Sequence, residues 1–540
     1  MTIMIEKILG QILDETAAKY PDNEALVYLD GPRYTYKEFK EIVDRVAKGL
    51  IKLGVKKGDH VSVWAYNVPE WVILQFATAK VGAVLVTVNT YYKAKELEYL
   101  LKQSDTRFLF LVDKFKDVSY VETLYRVMPE IKDGKKPDGF PMFEKAIYIG
   151  KEKHDGLLNF DDVVEMGKDV SDEALNEIAA SLNPHDVVNM QYTSGTTGFP
   201  KGVMLTHYNI INNAYWVGQY LGLSNKDRMC IPVPFFHCFG CVLSTLNCVI
   251  YGATMIPIKI FDAEEVLKAV DKEKCTVIQG VPTMFVRELN HPNFNKYDMS
   301  SLRTGIMAGA PCPIEVMKRV MNEMHAREIT IAYGLTEASP VITMTKRDDD
   351  IKKRVETVGK ALPYIDVKIV EPGTLNELPP NTPGELVARG YNIMKGYYKM
   401  PEATAKAIEN GWLHTKDLAT MDEEGYVRIL GRVDDMIIRG GENVYPREIE
   451  EFLYTHPKIK EVQVVGVPHS EYGEEVAAFI QLKEGMEASE EEIKEYCREN
   501  IARYKIPKYI FFVNEWPMTA SGKIQKFKLR EIAKEKLGRK

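Results

Sequence analysis

Short apolar runs alternate with longer amphipathic stretches through the first three hundred or so residues. The run 60–66 (HVSVWAY) predicts a strand, and 70–82 (EWVILQFATAKVG) predicts a helix stopped by Gly82. A second strand is expected at 83–89 (AVLVTVN), a helix at 96–104 (ELEYLLKQS) and a strand at 107–113 (RFLFLVD). The order returns at 276–282 (TVIQGVP), followed by the helical TMFVRELN. Strand-like runs separated by helical periods predict βαβ units around a parallel sheet. Lys80 interrupts an otherwise apolar stretch, which reads as a buried helix followed by a strand. After about residue 355 the pattern changes to short strands closed by Gly, Pro and Asn (VKIVEP, GELVARG, YVRILGR), which predicts a β-rich subdomain. From Asp434 onward, PREIEEFLYTHP and EEEIKEYCRENI read as helices, and EVQVVGVP and AAFIQLK as strands, the mark of a small α+β domain. The sequence contains no internal repeat.

At 540 residues, 45% of them hydrophobic, the chain exceeds what one core accommodates, so at least two domains are expected. Its 70 basic and 77 acidic residues leave a net charge of −7, which predicts a soluble protein without a field that attracts nucleic acid. Seven scattered cysteines, three of them in one apolar stretch (Cys238, Cys241, Cys248), argue against a disulfide framework and for the reducing cytoplasm. The N-terminal stretch has charges every few residues and no signal-peptide pattern, and no apolar run is long enough to span a membrane.

The sharpest local chemistry is Tyr192-Thr193-Ser194-Gly195-Thr196-Thr197-Gly198-Phe199-Pro200-Lys201-Gly202. Glycines admit close approach of the backbone to a phosphate, and N–H groups, hydroxyls and an ammonium then bind the anion. The loop leaves the strand-like VVNMQYT, and strand ends are where α/β sheets place ligands. It departs from the P-loop of kinases and GTPases, since Pro200 precedes Lys201 and Gly202 follows it.

With its downstream companions this loop resembles the signature of the adenylate-forming superfamily, which holds acyl-CoA synthetases, peptide-synthetase adenylation domains and luciferase. Phe235-Phe236-His237 is similar to that family's aromatic-His element, Gly309-Ala310-Pro311 to its adenine turn, and Tyr333-Gly334-Leu335-Thr336-Glu337 to its adenine-stacking and Mg²⁺-binding element. GELVARG, Trp412-Leu413-His414-Thr415-Lys416-Asp417, Gly431-Arg432-Val433-Asp434-Asp435, Arg439-Gly440-Gly441-Glu442-Asn443 and Ser521-Gly522-Lys523 follow in the family's order. The resemblance spans nearly the whole chain and looks closest to the medium-chain acyl-CoA synthetase branch.

The resemblance implies an α/β fold: a large N-terminal AMP-binding domain (1–432) of layered α/β subdomains with a β-rich subdomain, and a small mobile α+β domain (433–540). It implies an AMP-forming acid:CoA ligase using ATP, Mg²⁺ and coenzyme A. A carboxylate is a poor electrophile because its leaving group would be oxide; adenylation converts that oxygen into part of AMP, a good leaving group. By the same resemblance Thr193, Ser194, Gly195, Thr196, Thr197, Gly198 and Lys201 hold the outer ATP phosphates, and Gly309, Ala310, Pro311, Ala332, Tyr333, Gly334 and Thr336 hold the nucleoside and the α-phosphate. Glu337, with Thr197, is expected to bind Mg²⁺, a hard cation that prefers oxygen ligands. Asp417 is expected to accept from both ribose hydroxyls, Arg432 to support the ribose, and Lys523 to bridge the attacking carboxylate and the α-phosphate. Rotation about Asp434 would then exchange Lys523 for the strand of Arg439, Gly440, Gly441 and Glu442, where glycines leave a channel for pantetheine.

The acyl pocket is expected around Phe236, His237, Cys241, Val281, Met284, Gly305 and Ala308, which bring no Lys or Arg to meet a second carboxylate. His237 reads either as a gate to that pocket or as a packed core residue. His237, Cys238 and Cys241 mimic metal spacing, but no second ligand pair follows, which argues against zinc. The basic end LREIAKEKLGRK reads as a solvated helix of the small domain rather than a membrane contact. Three rivals stay open: an adenylation enzyme loading a separate carrier protein, a luciferase-like oxygenase, and a non-catalytic nucleotide sensor. A homodimer is an open assembly state.

Overall fold

The computed structural model describes residues 4–193, 200–310, 312–440, 442–519 and 523–538, with the side chain of residue 499 left out. Among these residues one sheet of eight strands runs in the order Gly396–Tyr397, Lys201–Thr206, Val187–Thr193, Val84–Thr87, His60–Trp64, Phe108–Leu111, Lys145–Tyr148, Leu158–Asn159. Its centre is parallel: Val61 pairs with Leu85 on one side and Phe108 on the other, and Phe108 with Lys145. Val84–Thr87 and Phe108–Leu111 are buried at every position, as strands covered on both faces must be, which is why their sequences are nearly unbroken apolar runs.

The helix Pro69–Lys80 connects His60–Trp64 to Val84–Thr87 and is buried at every position but Glu70. Lys80 is tolerated there because its ammonium meets both Asp14 and Asp44, which compensates the desolvation of a buried charge. The flanking helix Tyr36–Leu53 starts at a capping box, with the Thr35 hydroxyl accepting from the Glu38 amide and the Glu38 carboxylate accepting from the Thr35 amide, and stops at Gly54 in the left-handed region (φ 95°).

A second, nine-stranded sheet follows the order Lys360–Ala361, Val341–Met344, Glu328–Gly334, Thr304–Ala308, Val277–Gly280, Arg228–Ile231, Thr254–Pro257, Glu24–Val27, Arg33–Thr35. Its parallel middle carries Ala308 beside Ala332 at the C-terminal ends of two neighbouring strands. The β-rich segment after residue 355 forms an antiparallel sheet built on Ile365–Val370, Gly384–Gly390, Trp412–Met421 and Val427–Arg432. The last segment pairs Ile437–Arg439 with Glu442–Val444 and places Ile459–His469 and Tyr509–Phe512 on either side of Gly473–Leu482. One large apolar core includes residues from Leu9 to Val427, and two small cores lie between Ile437 and Ala533. No helix among the described residues is long and apolar enough to cross a membrane.

The N-terminal helix Leu9–Lys19 is tied to the body where the Leu9 amide donates to His207 Nδ1 at 3.1 Å. His207 is 1% exposed, and burial pushes its imidazole down to about 3. The unfolded chain binds this proton near pH 6.5 and the folded chain does not until about 3. Stability is therefore undiminished above pH 6.5 and falls as pH drops through that window. Thermal melts from pH 7.5 to 4.5 are expected to decline less steeply for His207→Asn than for the unsubstituted chain.

Candidate active site

The two arms of the glycine-hydroxyl loop are antiparallel strands, with Thr193 directly opposite Lys201. Ser194, Gly195, Thr196, Thr197 and Gly198 lie outside the described residues, as do Pro311 and Gly441. Lys201 Nζ stands 4.9 Å from the centre of the Tyr397 ring, and the Tyr397 hydroxyl donates to Glu337 Oε1 at 2.7 Å. One tyrosine thus joins the two groups expected to handle phosphate and Mg²⁺. Both loop arms are also held from the first sheet's side. The Tyr99 hydroxyl donates to the Pro200 carbonyl at 3.0 Å, and Gln103 accepts from the Tyr192 hydroxyl while donating to the Tyr398 carbonyl at 2.8 Å.

The nucleoside candidates collect at the strand ends of the second sheet. Gly309 follows the strand Thr304–Ala308 with φ +87°, and Ala332, Tyr333 and Gly334 end the neighbouring strand. A Cβ on Gly334 would lie 1.8 Å from the Pro340 carbonyl oxygen, so only glycine lets the chain turn here into Thr336 and Glu337. Asp417 arrives from the β-rich sheet, paired across strands with Arg432. Its Oδ2 accepts from the Tyr333 hydroxyl at 2.6 Å and its Oδ1 from Arg432 Nη1 at 3.0 Å. Burial raises the Asp417 carboxyl above its ordinary range, and Arg432, Tyr333 and Lys523 oppose that rise. Each carboxylate oxygen keeps a second lone pair, so both stay available to hydroxyls.

Lys523 enters this cleft from the other end of the chain. Its amide donates to Thr519 Oγ1 at 3.0 Å and its carbonyl accepts from the Thr519 amide at 2.7 Å. Its side chain reaches Gly309, where a Cβ would meet Lys523 Cε at 3.4 Å and Val281 Cγ1 at 3.2 Å. Burial lowers the Lys523 ammonium below its usual range; the charge of Arg432 adds to this, while Asp417 and Glu337 oppose it. Thus Lys523, Asp417, Arg432 and Glu337, spread over nearly two hundred positions of sequence, act on one another electrostatically.

His237 caps the turn Cys238–Gly240, its Nδ1 accepting from the Phe239 amide at 3.2 Å. Burial first, and the Lys523 charge second, push its imidazole down to about 3, so it is neutral at ordinary pH. It is packed, and it lies within the electrostatic reach of Lys523. Behind it the Gln191 carboxamide accepts from Cys238 Sγ at 2.9 Å and donates to Cys241 Sγ at 3.1 Å. The helix then leaves α geometry for a π-helical turn over Cys241–Leu246, a widening often found beside functional cavities. Of the other expected pocket residues, Gly305 and Ala308 share the strand Thr304–Ala308, and Phe236, Val281 and Met284 are buried.

Arg439, Gly440 and Glu442 form a turn on the surface of the small domain. Arg439 Nε donates to Glu475 at 2.8 Å, its guanidinium stands 4.8 Å from the Tyr472 ring centre, and the Gly440 amide donates to the Tyr472 carbonyl at 2.9 Å. Asp434 sits in the turn Val433–Asp435, where Arg530 donates to its carbonyl at 3.3 Å and pairs with Asp435. Among the described residues no group of three or more His, Cys, Asp or Glu could hold a metal ion. Glu337 is a lone carboxylate, the arrangement expected where Mg²⁺ takes most of its ligands from phosphates and water.

Sequence reasoning missed Tyr397, Tyr99, Gln103 and Gln191. All are single polar or aromatic residues within regular elements, and nothing in their spacing announces them.

The description AMP-binding enzyme matches residues 13–398, and AMP-binding enzyme C-terminal domain matches 448–523. The chain belongs to the AMP-binding enzyme family. It is 57% identical over 537 residues to the Bacillus subtilis (strain 168) protein named acyl-CoA synthetase YngI, covering 98% of both chains. It is 43% identical over 538 residues to human medium-chain acyl-CoA ligase ACSF2, mitochondrial, covering 97% of this chain and 87% of that one. The crystal structure of the anthranilate CoA ligase AuaEII in complex with anthranoyl-AMP superimposes with TM-score 0.88 at 28% identity, covering 99% of each chain. The layered large domain and smaller C-terminal domain are those of the adenylate-forming enzymes. The activity is AMP-forming acid:CoA ligation, with CoA rather than a carrier protein as acceptor.

Proposed function

We propose that this ligase activates a medium-chain monocarboxylate whose acyl chain is uncharged, with Mg²⁺ATP, in the cytoplasm. The observation that carries the mechanism is Lys523 lying against Gly309 in the cleft of Asp417, Arg432 and Glu337. In the first step a carboxylate oxygen attacks the α-phosphorus, the bond to the β-phosphate breaks, and pyrophosphate leaves. Lys523 steadies the charge on the attacking carboxylate and the α-phosphate; Thr336 contacts the same phosphate; Thr193 and Lys201, with the loop between them, hold the β- and γ-phosphates. Glu337, with Thr197, would hold Mg²⁺, which supplies charge neutralisation between the phosphates. Gly309 and Tyr333 flank the adenine, and Asp417 and Arg432 fix the ribose. In the second step the CoA sulfur attacks the acyl carbon, AMP leaves and the thiol proton is released. For this step residues 433–540 rotate about Asp434 against residues 1–432, withdrawing Lys523 and presenting Arg439, Gly440, Gly441 and Glu442.

The acid assignment is supported by the medium-chain name of relatives 43% identical to this chain. It is also supported by an expected pocket whose members, Phe236, His237, Cys241, Val281, Met284, Gly305 and Ala308, bring no cation. Acyl-CoA formation is expected to peak at intermediate length in a panel from acetate through octanoate to palmitate with benzoate added, read by mass spectrometry. A maximum at acetate, palmitate or benzoate would overturn it.

The clamp on the phosphate loop makes a separate expectation. Tyr99→Phe removes the bond to the Pro200 carbonyl and Gln103→Leu the bonds with Tyr192 and Tyr398, and one hydrogen bond is worth about 1 kcal/mol. The KM for ATP should rise by roughly three- to tenfold, and the KM for the acid should stay unchanged. Steady-state ATP–pyrophosphate exchange measures both.

A further inference from the structure

The widened turn Cys241–Leu246 is held from two sides by buried glutamines. At its end the Asn247 amide donates to the Val242 carbonyl, five residues back, where an α-helix bonds four back. Gln75, on the helix Pro69–Lys80, donates from Nε2 to the Cys241 carbonyl at 2.7 Å. Its Oε1 lies 2.7 Å from the Thr245 hydroxyl, which also stands 2.9 Å from the Cys241 carbonyl. Gln279, on the strand Val277–Gly280, donates from Nε2 to the Leu243 carbonyl at 3.0 Å and accepts the Ile306 amide on Oε1 at 3.0 Å. Gln75 and Gln279 are 2% and 0% exposed, so each carboxamide bonds protein at both ends. The first stands on a helix that joins two strands of the eight-stranded sheet, and the second belongs to the nine-stranded sheet, so the turn is pinned between the two. A leucine in either place would fill similar space without the cost of burying an amide. The carboxamides add direction, which apolar contact lacks, and a side chain that reaches into a helix's own bond ladder distorts it locally.

We propose that Gln75 and Gln279 set the acyl-length discrimination of the ligase by holding the turn Cys241–Leu246 in its widened form as one wall of the acyl pocket. Cys241 opens that turn, and Gln75 fixes it through its carbonyl. Gln279 fixes the next part of the turn through Leu243 and ties it to Ile306, the neighbour of Gly305. Without the two glutamines these carbonyls lose donors, the turn relaxes toward α geometry, and the wall takes several positions. An acyl chain a carbon or two from the best length then meets a wall that adjusts to it. Both are positioning residues, since the turn and not the carboxamides meets the acid. The proposal rests on the reading of the acyl pocket given above.

The test is competition between acids in one vessel, with the acyl-CoA products counted by mass spectrometry. It reads the ratio of kcat/KM values whatever fraction of the protein is active. The best acid is paired with the acid two carbons shorter and with the acid two carbons longer. Gln75→Met and Gln279→Met keep the reach of the side chain without its polar end. Each is expected to lower both ratios roughly fourfold, the discrimination that one buried methylene carries. Thr245→Val, which removes only the hydroxyl, is expected to lower them less and in the same sense, and it carries the decision if the glutamine variants fail to fold. A merely structural role would slow the reaction with every acid alike. Unchanged or raised ratios therefore overturn the proposal. Met284→Ala, which enlarges the expected pocket directly, identifies the source of a failure. A shift toward the longer acid in that variant, with unchanged ratios in the others, refutes the proposal alone; unchanged ratios in all of them refute the pocket reading as well.

Discussion

Lys523→Ala is expected to slow acyl-adenylate formation by at least a hundredfold, and by roughly a thousandfold if its ammonium acts as other preorganised charges do. Thioester formation from supplied acyl-adenylate should stay within about threefold, because the proposed rotation withdraws Lys523 for that step. The size follows from the surroundings. Burial lowers the Lys523 ammonium while Asp417 and Glu337 hold it up, so the charge sits preorganised among groups that act on it. Two hydrogen bonds with Thr519 fix the Lys523 backbone, so truncation of the side chain is expected to remove the charge without disturbing the fold. Rapid-quench measurement of pyrophosphate release for the first step and of thioester formed from supplied acyl-adenylate for the second, with melting curves beside them, checks both halves of the expectation.

Asp417→Asn is expected to raise the KM for ATP by roughly ten- to a hundredfold and to cost about 1–3 kcal/mol of stability. Asp417 is 7% exposed, and both its oxygens already accept protein donors, Tyr333 and Arg432. Asparagine keeps one acceptor oxygen and turns an NH₂ group toward the other donor, leaving a tyrosine hydroxyl or a guanidinium unmatched. The Arg432 side chain is 40% exposed and can turn to water, which keeps the stability loss at the lower end of a buried ion pair. On the proposed role of Asp417 the ribose hydroxyls would lose a bidentate acceptor, so the effect should concentrate in ATP binding and spare the KM of CoA. Initial-rate kinetics with each substrate varied, together with urea unfolding, separate these effects.

Much of the architecture was legible because burial writes itself into sequence. The strands expected at 60–66, 83–89 and 107–113 appear as His60–Trp64, Val84–Thr87 and Phe108–Leu111, trimmed where the chain turns away from the sheet. The helix expected at 70–82 runs Pro69–Lys80, and the Lys80 that breaks its apolar run is explained by two aspartates from helices far off in sequence. The β-rich segment and the small α+β segment were visible through their turn residues. In the cleft, motif residues converge as a set: Lys201 and Glu337 meet on Tyr397, and Asp417 pairs with Arg432. What stayed hidden is what joins the motifs. Tyr397 lies 60 positions from Glu337, Tyr99 lies 101 from Pro200, and Gln191 lies 47 from Cys238. Such partners are chosen by tertiary packing, and a lone tyrosine or glutamine inside a strand carries no periodic signal.

The central claim is that the acid's own oxygen attacks the α-phosphorus, and carboxylate oxygen labelling tests it most directly. The acid is supplied with ¹⁸O in both carboxylate positions, with ATP, Mg²⁺ and CoA, and the products are weighed by mass spectrometry. The predicted result is AMP carrying one ¹⁸O, unlabelled pyrophosphate, and acyl-CoA retaining the other ¹⁸O. Label in inorganic phosphate with ADP as the nucleotide product, or AMP without label, would contradict the account.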